Sequence, residues 1–139
     1  MQLYTSRWAN KDLAHLDVVP VGISRGVPRW RTPYRYKQLR MLAPSREALA
    51  ISDREAFEEA YVAGLEEIGV EAILVALERI GAEHGGKPLV LLCFEPIGVP
   101  CHRLAFGEWW KETTGQQVPE LLPGMVPLRE DMSAQEMLF

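Results

Sequence analysis

The sequence predicts an α/β domain, a three-layer, Rossmann-like sandwich on a mostly parallel sheet. Three observations carry this expectation. The runs "DVVPVGIS" (17–24) and "KPLVLLCFE" (87–95) are apolar at consecutive positions, as strands covered on both faces are. Two stretches with helical periodicity lie between them. The resulting order, strand–strand–long loop–helix–helix–strand–helix–strand, supplies the crossover helices that parallel strands require.

Taken in order, "LYTSRW" (3–8) reads as a first short strand and "DVVPVGIS" as the second. The stretch from Arg25 to Ser45 holds prolines and no clear period, so it reads as a long loop, a length that usually serves function or motion. Ser52 or Asp53 can cap the helix "REAFEEAYVAGLEEIG", with Glu55 as the capping-box partner of Ser52 and Gly69 as the stop. A second amphipathic helix, "VEAILVALERIGAEHGG", ends in a glycine pair that turns the chain into the strand at 87–95. "PIGVP" breaks that strand, "CHRLAFGEWWKETTG" reads as a helix starting near Cys101, and "QQVPEL" (116–121) reads as an edge strand. A single domain over 1–122 and a polar, proline-containing tail over 123–139 are expected.

The 139 residues are enough to bury a core without staples, and the ordinary composition excludes a disordered or fibrous chain. No apolar run reaches the length of a membrane span, and the N-terminus lacks the basic-then-apolar pattern of a signal peptide. Two cysteines are too few for a secreted disulfide framework. A cytoplasmic setting with both thiols reduced is the expectation. The net charge of −4 hides an asymmetry: residues 1–46 carry nine Lys/Arg against Asp12 and Asp17, and the remainder carries six against seventeen acids. That split suggests a polyanion-facing region on an acidic body.

In open parallel sheets, sites form at the carboxyl ends of strands. There the sequence gathers "ISRG", "CFEP" and "CHR". A helix starting at Cys101 places Cys101, His102 and Arg103 in its first turn, where free N–H groups and the dipole favour anions. Arg103 adds a planar donor fork suited to phosphate or carboxylate. The same place would lower the pKa of Cys101, so Cys101, His102 and Glu95 are candidate catalytic groups, as nucleophile, proton carrier and base. Simpler roles stand beside these: Cys93 as a small core residue, Cys101 as a buried helix-start residue, Glu95 as a turn residue. Cys93, Cys101 and His102 are metal ligands in type, but their spacing matches no closed zinc pattern, so no metal is expected, and the sequence leaves any cofactor unknown.

"LLCFEPIGVPCHRLAFGEWW" resembles the signature of the uncharacterised family called domain of unknown function 488, in which an apolar strand ending in Cys-x-Glu leads to Cys-His-Arg at a helix start. "LYTSRW", "VVPVGISRGVPRW" and "YKQLRMLAPS" are similar to its preceding segments, so the resemblance covers most of residues 2–122. It implies one composite site from Cys93, Glu95, Cys101, His102 and Arg103, joined by Ser24 and Arg25. It implies no reaction.

The loop at 24–40 sets Arg25, Arg29, Arg31, Arg35 and Lys37 among Trp30, Tyr34 and Tyr36. Cations for phosphates and aromatics for bases are the pairing that single-strand or flipped-base binding uses. The alternative is a solvated loop whose aromatics pack back on the core. At the chain's end, Gln135, Leu138 and Phe139 resemble the short peptide by which bacterial replication and repair proteins hold the DNA sliding clamp. Glu136 and Met137 depart from that pattern, and a tail docked on its own domain is the alternative. The expectation is a clamp-tethered accessory protein of DNA replication, repair or modification that binds DNA or nucleotide phosphate. A small-molecule enzyme with a structural tail, or a non-catalytic adaptor, are the other classes.

Overall fold

The computed structural model describes residues 1–95 and 101–127. The tail residues Gln135, Leu138 and Phe139 lie outside them. Four strands, β1 (Leu3–Arg7), β2 (Val19–Gly22), β3 (Lys37–Gln38) and β4 (Leu89–Cys93), form one sheet in the order β1-β4-β2-β3. Every pairing in it is parallel. The helices are α1 (Arg46–Leu49), α2 (Arg54–Ile68), α3 (Val70–Glu83) and α4 (His102–Thr114). The expected α/β class with a parallel sheet is what forms.

The sequence of β4, "LVLLC", explains its place. All five residues are buried, and they alternate between two apolar clusters. Leu89 and Leu91 join Leu3, Val21, Tyr61, Leu65, Ile73, Leu77, Phe106 and Trp110, beneath α2, α3 and α4. Val90 and Leu92 join Tyr4, Trp8, Leu13 and Leu121 on the opposite face. Successive side chains point to opposite faces, so only a strand apolar at every position can sit between two covered faces. Burying one Leu side chain contributes roughly 1.5–3 kcal/mol, and β4 supplies three. The third layer is not made of long helices. A 3-10 helix (Lys11–Ala14), Tyr34 and Tyr36 from the loop, and Leu121 cover that face.

The local punctuation follows the sequence. Asp53 caps α2 by accepting from Ala56 N–H at 2.9 Å. Gly69, at φ 93°, separates α2 from α3, and Gly115, at φ 81°, ends α4. Glycine enters this left-handed region at no steric cost. The segment expected as an edge strand makes one parallel bridge to β1, with Thr5 N–H donating to Pro119 O at 2.9 Å and Leu121 N–H to Thr5 O at 2.6 Å. The expected unbroken loop differs from the structure. It contains β3 and a 3-10 helix (Arg40–Leu42), both too short to leave a periodic signal, and α1 follows it directly. Beyond 122, Gly124 N–H donates to Asp12 Oδ2 at 2.7 Å, which holds the first part of the expected tail against the domain. Among the described residues, no helix is long and apolar enough to cross a membrane.

Candidate functional site

Three parallel strands deliver their ends to one edge of the sheet. β2 runs into Ile23, Ser24 and Arg25, β4 into Phe94 and Glu95, and β1 ends at Arg7 and Trp8. A cavity of about 510 Å³ opens there, lined by Ser24, Arg25, Phe94, Glu95, Cys101 and His102, and by Pro44, Leu49, Ile51, Ser52, Arg54 and Phe57 from the α1–α2 segment. Its volume is in the range of small-molecule sites. The structure therefore brings together Ser24, Arg25, Glu95, Cys101 and His102 as expected. The wall from Pro44 to Phe57 was not legible as part of the site, because its apolar residues carry no chemical signal and Ser52 and Arg54 read only as a helix start.

Cys101 occupies the N-cap of α4. Its backbone is extended (φ −148°, ψ 174°), and its Sγ accepts from Arg103 N–H at 3.3 Å. Cys93 and Cys101 are joined sulfur to sulfur, with their Cα atoms 7.6 Å apart. This departs from the expectation of two reduced thiols: a strand end and a helix start, eight residues apart, meet at the sheet edge.

His102 is buried at 6% exposure. Its Nε2 lies 2.8 Å from Ile23 O, and its ring meets Tyr61 edge-on at 5.4 Å. Burial lowers its pKa, partly opposed by the bond to Ile23 O and the nearby Glu95 charge. A carbonyl only accepts, so the neutral ring carries its proton on Nε2 and keeps a lone pair on Nδ1.

Arg103, expected to offer its fork to an anion, is fully buried and already engaged. Its Nε donates to Glu120 Oε1 and Oε2 at 3.0 and 3.1 Å, and its Nη2 to Glu120 Oε2 at 2.8 Å. Its Nη1 donates to Cys93 Sγ and Cys101 Sγ, each at 2.9 Å, and to Glu95 O at 3.0 Å. Thr5 Oγ1 also donates to Glu120, at 2.6 Å. An anion at Arg103 would have to displace Glu120, so the guanidinium holds the cysteine pair in place instead. Glu120 lies 17 residues from Arg103, and nothing in the local sequence marks it as the partner.

The basic loop divides. Tyr34 Oη donates to Trp8 O, and Tyr36 packs edge-on against Trp8 at 4.8 Å, so both tyrosines turn back on the core. Trp30 stays 48% exposed and meets the exposed Phe94 edge-on at 6.1 Å, beside the cavity. Arg29 and Arg31 are exposed. Arg35 and Lys37 are exposed as well, but they line a second cavity with His84 and Lys87 instead of the one at Cys101. One further residue went unnoticed in the sequence: Arg7, in register with Cys93, has its Nε buried without a hydrogen-bond partner among the described residues. A basic residue closing a parallel strand was the signal available.

No protein-family model, curated protein or solved structure matches this chain.

Proposed function

We propose that the protein binds a nucleic-acid strand or a nucleotide phosphate at the sheet edge, and that it works in DNA replication, repair or modification. The observation that supports this best is Trp30 with Phe94. An exposed aromatic pair stands beside a cavity rimmed by Arg25, with Arg29 and Arg31 free of ion pairs among the described residues. Aromatic faces stack on bases, and exposed arginines exchange counterions for phosphates. Cys101, His102 and Glu95 line the same cavity and are the groups that would carry any chemistry there. The cavity's volume also favours a second reading, a small-molecule enzyme using those three residues.

Recruitment belongs to the same proposal. Gln135, Leu138 and Phe139 would fasten the chain's end to a bacterial sliding clamp, raising local concentration on DNA without tight DNA affinity. Anisotropy of a labelled single-stranded oligonucleotide tests the first part. Trp30→Ala is expected to weaken binding by roughly 1–3 kcal/mol, the worth of one base–aromatic stack. Unchanged affinity in that variant and in Arg25→Ala would leave the small-molecule reading. A pull-down with purified clamp tests the second part: removing residues 135–139 should abolish retention, and retention by the truncated chain would end the tether proposal.

A further inference from the structure

We propose that Cys93, Cys101, His102 and Glu95, in their dithiol state, form a binding site for a thiophilic divalent cation of the zinc class. One potential ligand atom from each of the four residues lies within 4.8 Å of the others. Tetrahedral zinc takes sulfur at about 2.3 Å and nitrogen or oxygen at about 2.0–2.2 Å. Ligand atoms around one ion therefore stand roughly 3–4 Å apart, and the 4.8 Å limit of this cluster is close to that spacing. Cys93, Cys101 and His102 are buried, unlike the exposed carboxylates that gather on many surfaces without a metal.

Two further features prepare these atoms as ligands. His102 spends Nε2 on Ile23 O, which fixes the ring and leaves Nδ1 as the donor to an ion. Metal-bound histidines characteristically carry such an outer hydrogen bond to a carbonyl or carboxylate. Arg103 Nη1 donates to both sulfurs, the outer-sphere contact that stabilises thiolates, and Glu120 locks the guanidinium in position. The charges also suit a dication. Two thiolates and a carboxylate around it leave one negative charge, and the buried guanidinium lies against it. With Cα atoms 7.6 Å apart, beyond the span of about 4.4–6.8 Å usual for a disulfide, the reduced sulfurs can part to admit an ion between them.

The joined and metal-bound states exclude each other. A cellular thiol reductant supplies two electrons and two protons to the Cys93–Cys101 bond, giving two thiols and its own disulfide. Metal binding then forms two metal–sulfur bonds and releases the two thiol protons. The site is thus open to metal only when reduced. This proposal does not depend on nucleic-acid binding, and its test does not measure it.

The full chain, reduced with a phosphine under anaerobic conditions and desalted, is titrated with cobalt(II) and then zinc(II). One equivalent of cobalt is expected to bind with a near-ultraviolet thiolate-to-cobalt charge-transfer band and the strong visible bands of tetrahedral cobalt, and zinc is expected to displace it. Cys93→Ser and Cys101→Ser should each lose intensity in the charge-transfer band. Glu95→Gln and His102→Ala should weaken cobalt binding at least about 10-fold while keeping that band. Far-ultraviolet circular dichroism confirms that each variant is folded, and Glu95→Gln keeps the test decisive if a cysteine variant is not. The oxidised chain should bind no cobalt with charge-transfer character. Failure of the reduced chain to take up one equivalent, uptake without a charge-transfer band, or unchanged affinity in Glu95→Gln and His102→Ala would overturn the proposal.

Discussion

Arg103 and the tyrosines show how single side chains divide between holding the fold and serving the site. A guanidinium with no exposure, matched to Glu120 and two sulfurs, is stable only while its partner remains. Removing one member of a buried pair leaves an uncompensated charge, so Glu120→Ala is expected to lower unfolding free energy by about 3–5 kcal/mol in urea titration. Tyr34 and Tyr61 act in a pH-dependent way. Burial pushes the Tyr34 hydroxyl up to about 12, with the Tyr36 charge adding to it, and burial also raises the hydroxyl of Tyr61, which donates to Leu42 O at 2.6 Å. A raised folded-state pKa gives stability that is complete below the ordinary tyrosine value of 10.0 and is lost as pH rises toward about 12. Unfolding midpoints should therefore fall between those values, and Tyr34→Phe should flatten that fall. The sequence left open whether the loop's aromatics face solvent or core. The answer differs between Trp30 and the two tyrosines because only the tyrosines reach Trp8, a contact between distant segments that no local pattern encodes.

At the scale of elements, the long apolar strand and the capped helices were readable because each depends on its own residues. β4 is apolar throughout, Asp53 caps α2, and Gly69 and Gly115 terminate helices in the positive-φ region. β3 was not readable. Lys37 and Gln38 are exposed, and their strand exists only through pairing with Val21 and Gly22. Likewise, the helix start at Cys101 was evident, but the occupation of Arg103 was not, because burial depends on which segment returns beside it. Gly22 is a related case. A β-carbon there would collide with Cζ2 and Cη2 of Trp8, so the edge of the indole's six-membered ring packs directly against β2. Gly22→Ala should destabilise the domain by about 1–3 kcal/mol, the usual cost of overpacking, and shift Trp8 fluorescence. Asp53→Ala, which removes the α2 cap, should cost about 1 kcal/mol.

For the whole molecule, the sheet separates two layers of opposite character. The helical layer carries a groove lined by Glu55, Glu58, Glu59, Glu66, Glu108 and Glu112 between α2 and α4. The loop layer carries Arg29, Arg31 and Arg35, all exposed. This is the charge asymmetry of the sequence laid out in space. A chain of net charge −4 thereby keeps three exposed arginines within one loop. If the loop contacts phosphates, Arg29/Arg31/Arg35→Ala should flatten the log–log salt dependence of oligonucleotide binding by about 2, near 0.7 for each lost contact. Glu108→Gln with Glu112→Gln should leave that slope unchanged.

The strand order has a consequence in time. β1 and β2 do not touch; the place between them is taken by β4, so Leu3 waits for Leu89. As the chain leaves the ribosome, β1 has no strand to pair with until residues 89–93 emerge, and β2 has only the two residues of β3. Such non-local closure makes for slow folding compared with helical bundles of similar length. Cys93 and Cys101, eight residues apart, lie within one short stretch of chain, so their meeting is local while the sheet that frames them is not.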